Sequence, residues 1–227
     1  MKKIVVLTGA GMSAESGIKT FRDAGGLWEG HDVMSVASPE GWHKNKELVL
    51  DFYNQRRRQL SQVKPNKAHE LIAELEKSYE VSIVTQNIDD LHERAGSTHV
   101  LHLHGELLKV RSTQNEQLVY HWEKDLLHGD LCESGSQLRP HIVWFGEAVP
   151  MLDQAIEITA SADLLLVIGT SMQVYPAASL IHYITDTTPV FFIDPKPSIH
   201  ASALKNLTII EEKAVSGMEK FIELLPF

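Results

Sequence analysis

The chain has 227 residues, 43% of them hydrophobic and 22% charged, an ordinary globular composition with room for one elaborated domain or two unequal ones. Its net charge of -9 argues against non-specific nucleic-acid binding, and no apolar stretch is long enough to span a bilayer. Cys132 is the single cysteine, which excludes an intrachain disulfide and a four-cysteine zinc site; residues 4–7 behind Met1-Lys2-Lys3 are too short for the core of an export signal, so a cytoplasmic protein is expected.

In chain order, residues 4–7 read as a buried strand, an apolar run that ends in Gly9-Ala10-Gly11-Met12-Ser13-Ala14. Behind a strand, this G-x-G-x-x-A pattern suits a phosphate loop. Gly9 permits the tight turn, Gly11 lets backbone approach a pyrophosphate, and Ala14 packs the following helix against the sheet, whose N-terminal N–H groups face the anion. Residues 47–61 read as a helix with Val49, Tyr53, Arg56 and Leu60 along one stripe. Arg57 and Arg58 then point elsewhere, into solvent. Asn66 can cap a helix that carries Ala68, Leu71, Ile72 and Leu75 on one face.

Residues 81–84 form a second strand, followed by Gln86-Asn87-Ile88-Asp89 and a short helix over 91–95. Residues 100–103 form a third, interrupted by His102 and followed by His104-Gly105. Strands at 163–168, 190–193 and 207–210 are followed by Gly169-Thr170-Ser171, Asp194 and Lys213-Ala214. A helix over 176–184 would carry proline in its first turn. Ser216 can cap a last helix with Met218, Phe221, Ile222 and Leu225.

Strands alternating with helices imply an α/β fold, a Rossmann-type parallel sheet of about six strands covered on both faces. Two intervals are too long for simple crossovers. They are read as insertions that build a smaller second lobe from residues 26–64 and 107–140, leaving 1–25, 65–106 and 141–227 to the Rossmann-type domain. The polar and glycine clusters all follow strands, so they share the carboxyl edge where open parallel sheets bind ligands. NAD is therefore the expected ligand. A dehydrogenase places an acidic residue about 20 residues beyond the glycines, at the end of a second strand; here that distance falls near Trp28 and Glu29 with no strand around it. Hydride transfer is not the natural reading.

The stretches Gly9 to Ile18, Phe21-Arg22, Thr85-Gln86-Asn87-Ile88-Asp89, His102-Leu103-His104-Gly105, Arg139-Pro140-His141, Val143-Trp144-Phe145-Gly146-Glu147 and Gly169-Thr170-Ser171 occur in an order and with spacings that together are highly specific. In them the sequence resembles the sirtuins, the NAD-dependent protein lysine deacylases, over nearly its whole length. The resemblance implies that NAD and an acyl-lysine protein or peptide meet in the cleft between the two lobes, and that NAD is consumed. The acyl oxygen attacks the ribose carbon as nicotinamide leaves, and the products are free lysine, nicotinamide and O-acyl-ADP-ribose.

It also implies roles for residues. His104 matches the catalytic histidine, a general base for a ribose hydroxyl whose help is worth about a hundred- to ten-thousand-fold in rate. Asn87 acts beside it, and Asn87 and Asp89 place the nicotinamide ribose and carboxamide. Gly9, Ala10, Gly11, Ser13, Phe21, Arg22, Gln86, Gly169, Thr170, Ser171, Asp194 and Ala214 complete the NAD site. Read from the residues alone, Asn87 and Asp89 could instead cap the helix at 91–95, Phe21 could fill core, Arg22 could be a solvated loop residue, and His102 and His104, on one side of a strand, could be a metal pair. His104 stands at the strand's end, whereas His102 lies deeper and is expected to pack.

Arg56 on an otherwise apolar helix face needs an anionic partner. An acidic acyl chain would supply one for the guanidinium and the Tyr53 hydroxyl, and Tyr53-x-x-Arg56 resembles the pair of class III sirtuins, which remove succinyl and malonyl groups. Val143, Phe145, Gly146 and Val174 match segments that take the peptide by strand addition. Sirtuins usually hold a structural zinc on two cysteine pairs in the small lobe. Here the first pair is replaced around residues 111–115 and the second region keeps only Cys132, so 107–140 reads as a degenerate zinc-ribbon-like module. Closed zinc sites want four Cys or His ligands, and His121, His128 and Cys132 match no standard spacing. Zinc is expected to be absent, with Leu118, Tyr120, Trp122 and Leu126 packing the lobe. ADP-ribosyl transfer and NAD sensing without turnover are the competing functions.

Overall fold

The structure, a computed structural model, describes residues 1–19, 27–28, 30–199 and 204–225. Phe21 and Arg22 lie outside them. The chain runs β1 (Lys3–Thr8), α1 (Ala10–Ser13), β2 (Leu27–Trp28), β3 (His31–Asp32), α2 (Val33–Val36), α3 (Pro39–Lys44), α4 (Lys46–Leu60), α5 (Lys67–Leu75), β4 (Glu80–Thr85), α6 (Leu91–Ala95) and β5 (Val100–His102). It continues through β6 (Gly105–Ser112), β7 (Val119–His121), β8 (Leu138–Ile142), α7 (Leu152–Ala160), β9 (Leu164–Ile168), β10 (Val190–Ile193), β11 (Leu207–Ile210) and α8 (Ala214–Glu223). Among the described residues no helix is long and apolar enough to cross a membrane.

Six strands form one sheet in the order β11-β10-β9-β1-β4-β5, every neighbouring pair parallel. The chain winds outward from β1 to β5 and then, from β9, to the other side. The order therefore reverses between β1 and β9, the place where doubly wound sheets bind ligands. Alternate side chains explain the two covered faces. Ile4, Val6, Leu164, Leu166 and Ile168 pack with Ala68, Ile72, Leu75, Met218 and Phe221 of α5 and α8. Val5, Leu7, Leu165 and Val167 pack with Ala155, Ala177, Leu180 and Ile181 on the other side. All five residues of β9 are fully buried, which is why the strand reads as an unbroken apolar run.

A third apolar cluster stands apart from the sheet. It joins Val49, Leu50, Phe52, Tyr53 and Leu60 of α4 to Leu107, Val110, Leu126, Cys132, Leu138, Ile142 and Trp144. Leu118, Tyr120 and Trp122 pack on its rim, and Leu126 is fully buried within it. The sequence reading assigns no strand to 107–140, yet β6 pairs antiparallel with both β7 and β8. β6 spans eight residues, but all three strands mix polar with apolar residues, so they lack the apolar run that marks the main sheet.

Three other expectations are corrected. Arg57 is 1% exposed and not solvated: its Nε–H donates to the Leu107 carbonyl (3.2 Å) and its Nη1 to Asn54 (2.7 Å). Asn54 in turn binds both the N–H and the carbonyl of Leu126. The buried stripe of α4 is thus Val49, Tyr53, Arg57 and Leu60; Arg56 is half-buried at its border. Residues 176–184 form a 3-10 helix over Ala177–His182, where the Ser179 hydroxyl donates back to the Pro176 carbonyl (2.7 Å) and competes with α-helical bonding. Finally, α8 starts at Ala214, ahead of Ser216, whose hydroxyl donates to Glu212 instead. The free N–H of Val215 is met by the Glu15 carboxylate (2.9 Å) from the first loop, a favourable charge at a helix N-terminus.

Candidate active site at the carboxyl edge of the sheet

The loops after β1 and β9 interlock through glycines. Gly9 has an extended backbone (φ -140°), so no special turn demands it; a Cβ there would lie 2.7 Å from Thr170 Cβ. A Cβ on Gly11 would lie 2.8 Å from Gly169 Cα, and one on Gly169 (φ +64°) would lie 2.2 Å from the Met12 nitrogen. Gly11 N–H donates to the Gly169 carbonyl (2.8 Å). These glycines therefore serve loop-on-loop contact, and Gly9 is demanded by that contact where the tight turn is the expected reason. Ala14 is exposed, not packed. Helix α1 lasts one turn and a 3-10 turn (Ala14–Ser16) ends at left-handed Gly17, so Met12 is the residue buried against the sheet.

Next to this cradle lies a closed polar cluster. Ser13 Oγ donates to Asp89 Oδ2 (2.9 Å) and accepts from Asn87 Nδ2 (3.1 Å). The Asn87 N–H donates to Thr85 Oγ1 (3.0 Å), which also accepts from Thr8 Oγ1 (2.7 Å). Gln86 Nε2 donates to Thr170 Oγ1 (3.0 Å), tying the loop after β4 to the loop after β9. Burial pushes the Asp89 carboxyl up, against the Leu91 N–H and the Ser13 hydroxyl. Asp89 does close the turn before α6, through Leu91 N–H (3.2 Å), but its second oxygen serves Ser13; the Asn87 side chain caps nothing. Ala10, Ser171, Asp194 and Ala214 stand at the ends of the neighbouring strands, with Asp194 and Ala214 buried.

The two histidines differ. His104 contacts the Gln86 carbonyl through Nδ1 (3.1 Å), which fixes the proton there and leaves the Nε2 lone pair for other work. Burial pushes its pKa down, partly offset by that carbonyl, so the ring stays neutral. Gly105 behind it is obligatory: φ is +83° and a Cβ would lie 2.0 Å from the His141 carbonyl oxygen. His102 has both ring nitrogens engaged, Nδ1 with the Asn87 carbonyl (2.9 Å) and Nε2 with Glu93 (2.7 Å). It therefore does not pair with His104 as a ligand. Its place in an apolar strand was the one sign of this contact; Glu93 gave none.

Residues 143–147 leave directly from His104, since Val143 N–H donates to the His104 carbonyl (2.9 Å). Phe145 is 42% exposed and Val174 39%, while Gly146 takes φ +90°. Glu147 fixes this segment. It takes a two-pronged bond from Arg139 (2.6 and 3.1 Å), the Trp144 N–H (2.8 Å) and Arg111 (3.4 Å). Burial works against its charge, but these donors hold its carboxyl below the usual range. The Arg139 guanidinium carbon also sits over the Trp144 ring (3.3 Å to the centroid). No role for Arg111, Arg139 or Glu147 follows from their sequence alone. Tyr53 is fully buried and its hydroxyl accepts from Trp144 Nε1 (3.0 Å). Arg56 stacks on Phe52 (3.5 Å) and faces Trp28 (6.0 Å).

The Sir2 family model matches residues 9–176. An NAD-dependent protein deacylase of Helicobacter pylori (strain ATCC 700392 / 26695) is 62% identical over 226 residues, 100% of this chain and 97% of that protein. One from Bacteroides thetaiotaomicron is 51% identical, covering 99% of this chain and 98% of its own. Among solved structures, a Sir2 homolog–NAD complex superposes with a TM-score of 0.88 at 39% identity, over 98% of this chain and 89% of that one. A Sir2 complex with an inhibitor, 2'-O-acetyl-ADP-ribose and a deacetylated p53 peptide gives 0.79 at 31% identity, over 97% and 93%.

Proposed function

This chain belongs to the Sir2 family, and from that premise we propose that it is an NAD-dependent protein-lysine deacylase. The observation that carries the reading is His104: a neutral imidazole whose only described bond, Nδ1 to the Gln86 carbonyl, leaves a basic nitrogen at the edge where the glycine cradle and Asn87 converge. The site suits NAD. Gly9, Gly11 and Gly169 keep side chains out of the β1–β9 crevice, Ala10, Ser13, Thr170, Ser171, Asp194 and Ala214 border it, and the amide and carboxyl of Asn87 and Asp89 match hydroxyl and carboxamide partners. Phe21 and Arg22 complete the set by resemblance. Bound NAD would supply an electrophilic ribose carbon with nicotinamide as leaving group. The chain would hold that ribose, exclude water with the 143–147 segment, and accept a ribose hydroxyl proton at His104 Nε2. Acyl-lysine peptides would lie in extended form along Val143, Phe145, Gly146 and Val174. Incubation with a panel of acyl-lysine peptides, with and without NAD, tests this: nicotinamide and O-acyl-ADP-ribose should appear only together. Persistent labelling of protein by labelled NAD would favour ADP-ribosyl transfer.

The acyl group is proposed to be acidic as well as acetyl. Arg56, stacked on Phe52 at the border of the α4 stripe, presents a guanidinium where Tyr53 is also held, suited to a succinyl or malonyl carboxylate. With Arg56→Met, desuccinylation should fall by more than tenfold relative to deacetylation; an equal fall in both would remove the assignment.

A family zinc does not suit the small lobe. Around Cys132 stand the hydroxyls of Ser134 and Ser136 (3.0 Å each), with Ser112 bonded to Ser136 (2.9 Å). Hydroxyls are poor partners for a closed site that wants four thiolates or imidazoles. The serines hold the Cys132 thiol down to about 6, Ser112 most strongly. We take this hydrogen-bonded knot as the replacement for the metal; stoichiometric zinc in the purified protein would overturn it.

A further inference from the structure

His102 and His104 share a side of one strand end, but their proton needs differ. His104 faces one acceptor, the Gln86 carbonyl. His102 faces two, the Asn87 carbonyl at 2.9 Å from Nδ1 and the Glu93 carboxylate at 2.7 Å from Nε2. A neutral imidazole has one N–H and one lone pair, so it can satisfy only one of these. The other contact would set a lone pair against an oxygen. With Glu93 ionised, its carboxyl held below the usual range, the geometry calls for a proton on both nitrogens.

We infer that His102 acts as an imidazolium: a positioning residue, paired with Glu93, that pins the Asn87 carbonyl and thereby holds residues 86–89 in place for NAD, so that loss of its proton shuts the reaction down at alkaline pH. The inference rests on the deacylase reading for its effect on turnover, not for the charge of His102.

The groups around His102 come from four elements. Glu93 reaches it from α6, Glu106 from β6 and Asp89 from the loop after β4, and His104 is its neighbour two residues along the chain. His92, also on α6, is buried and held neutral, well below the usual histidine range, by burial first and by His69 and His102 next. Lys109 bonds Glu106 (2.6 Å); burial works against the Glu93 charge, but the bond and charge of His102 hold its carboxyl low, with Lys109 adding least. The His102 side chain is only 7% exposed. Burial works against its charge, but the bond and charge of Glu93, the Asn87 carbonyl and Glu106 outweigh it and raise its pKa. The His102 charge also favours ionised Asp89, which burial otherwise opposes. Losing that proton would cost the site twice. With the remaining proton kept on Nε2 by the charged Glu93, Asn87 would lose a donor, and the carboxyl that holds Ser13 would lose a cation that favours its charge.

The test uses the full chain. Nitrogen-15 histidine spectra at neutral pH should show two protonated nitrogens on His102 and one on His104. In Glu93→Gln the His102 titration should fall by about one unit or more, and the alkaline limb of kcat/KM for NAD should move with it, about tenfold in rate at a pH between the two limbs. The KM for NAD should rise while the KM for peptide stays, and Glu93→Asp should restore much of both. A merely structural pair would change thermal stability without moving the limb. One proton on His102 in the wild type, or a limb that stays put when the titration has moved, overturns the inference. If no acyl-lysine peptide is turned over, the functional reading fails separately. NAD affinity by calorimetry across the same pH range then replaces kcat/KM: a decline that tracks the His102 titration supports the inference, and a flat profile overturns it.

Discussion

The carboxyl edge of the parallel sheet and the α4–β6–β8 lobe, the two sides of the proposed site, are held in place by opposite means. At the edge, position comes from backbone. Strand ends aim the loops, glycines let them touch, and the polar side chains pair within a few ångströms of their own strands. In the lobe, position comes from side chains reaching between segments, as when Glu147 gathers Arg139, Arg111 and the Trp144 N–H, or Arg57 and Asn54 tie α4 to Leu107 and Leu126. The contrast shows that a scaffold repeated every strand tolerates its polar residues as passengers. A lobe built on a single three-stranded sheet must use them as framework.

The largest expected effect lies at the edge and should be chemical. His104→Ala should lower nicotinamide release by about a hundred- to ten-thousand-fold while NAD binding, by calorimetry, and thermal stability persist. Because burial lowers its pKa and the neutral ring is the working form, the acid limb of wild-type kcat/KM should lie below the ordinary histidine value of about 6.5. In the lobe the large effect should be structural. Glu147→Leu strands two buried cations and should cost about 3–5 kcal/mol in denaturant melts. Adding Arg139→Met should recover part of the loss, since an ion pair replaced on both sides by apolar groups is often neutral. If His104→Ala unfolds the protein, or Glu147→Leu spares stability and removes only turnover, the division of labour is wrong.

The edge was therefore the legible part. Runs such as Leu164 to Ile168 and the motifs behind them announce strands and loop chemistry with local signals, and the six-stranded sheet follows. The lobe carries few such signals. A stripe through Val49, Tyr53 and Leu60 is as regular with Arg57 as with Arg56; the choice is made by the Leu107 carbonyl and Asn54, which no local pattern reveals. The same holds for α8, whose N-terminus is met by Glu15 from the far end of the chain, and for Ala14, exposed because α1 stops after one turn.

Acid should separate the two regions further. Beneath the edge, burial pushes His69 down to about 4 and holds His92 well below the usual histidine range. Above about pH 6.5 both are neutral in folded and unfolded chains and their contribution is complete. As pH falls the unfolded chain takes up protons first, so stability drains between about 6.5 and about 4, by about 3 kcal/mol for His69. Glu147, with a lowered carboxyl pKa, loses its contribution only below the ordinary glutamate value. Hydrogen exchange at pH 5 should therefore quicken in β1 and β4 before β6 and β8. All four tryptophans belong to the lobe's apolar cluster, so their fluorescence should change later than exchange at the edge. Simultaneous change would mean that the two regions open as one. The smallest effect is expected at Cys132→Ser: about 1 kcal/mol of stability, with a melting temperature that chelators leave unmoved.

The interlock of Gly9, Gly11 and Gly169 bears on any attempt to re-engineer this pocket. Gly11 and Gly169 each oppose backbone of the other loop, so an added methyl at one cannot be accommodated by shrinking a side chain at the other. Libraries that randomise the crevice will waste most of their diversity at these sites. Useful variation is confined to the flanking Ala10 and Ser171, which are only partly covered, and ligand preference can drift there without disturbing how the two loops are joined.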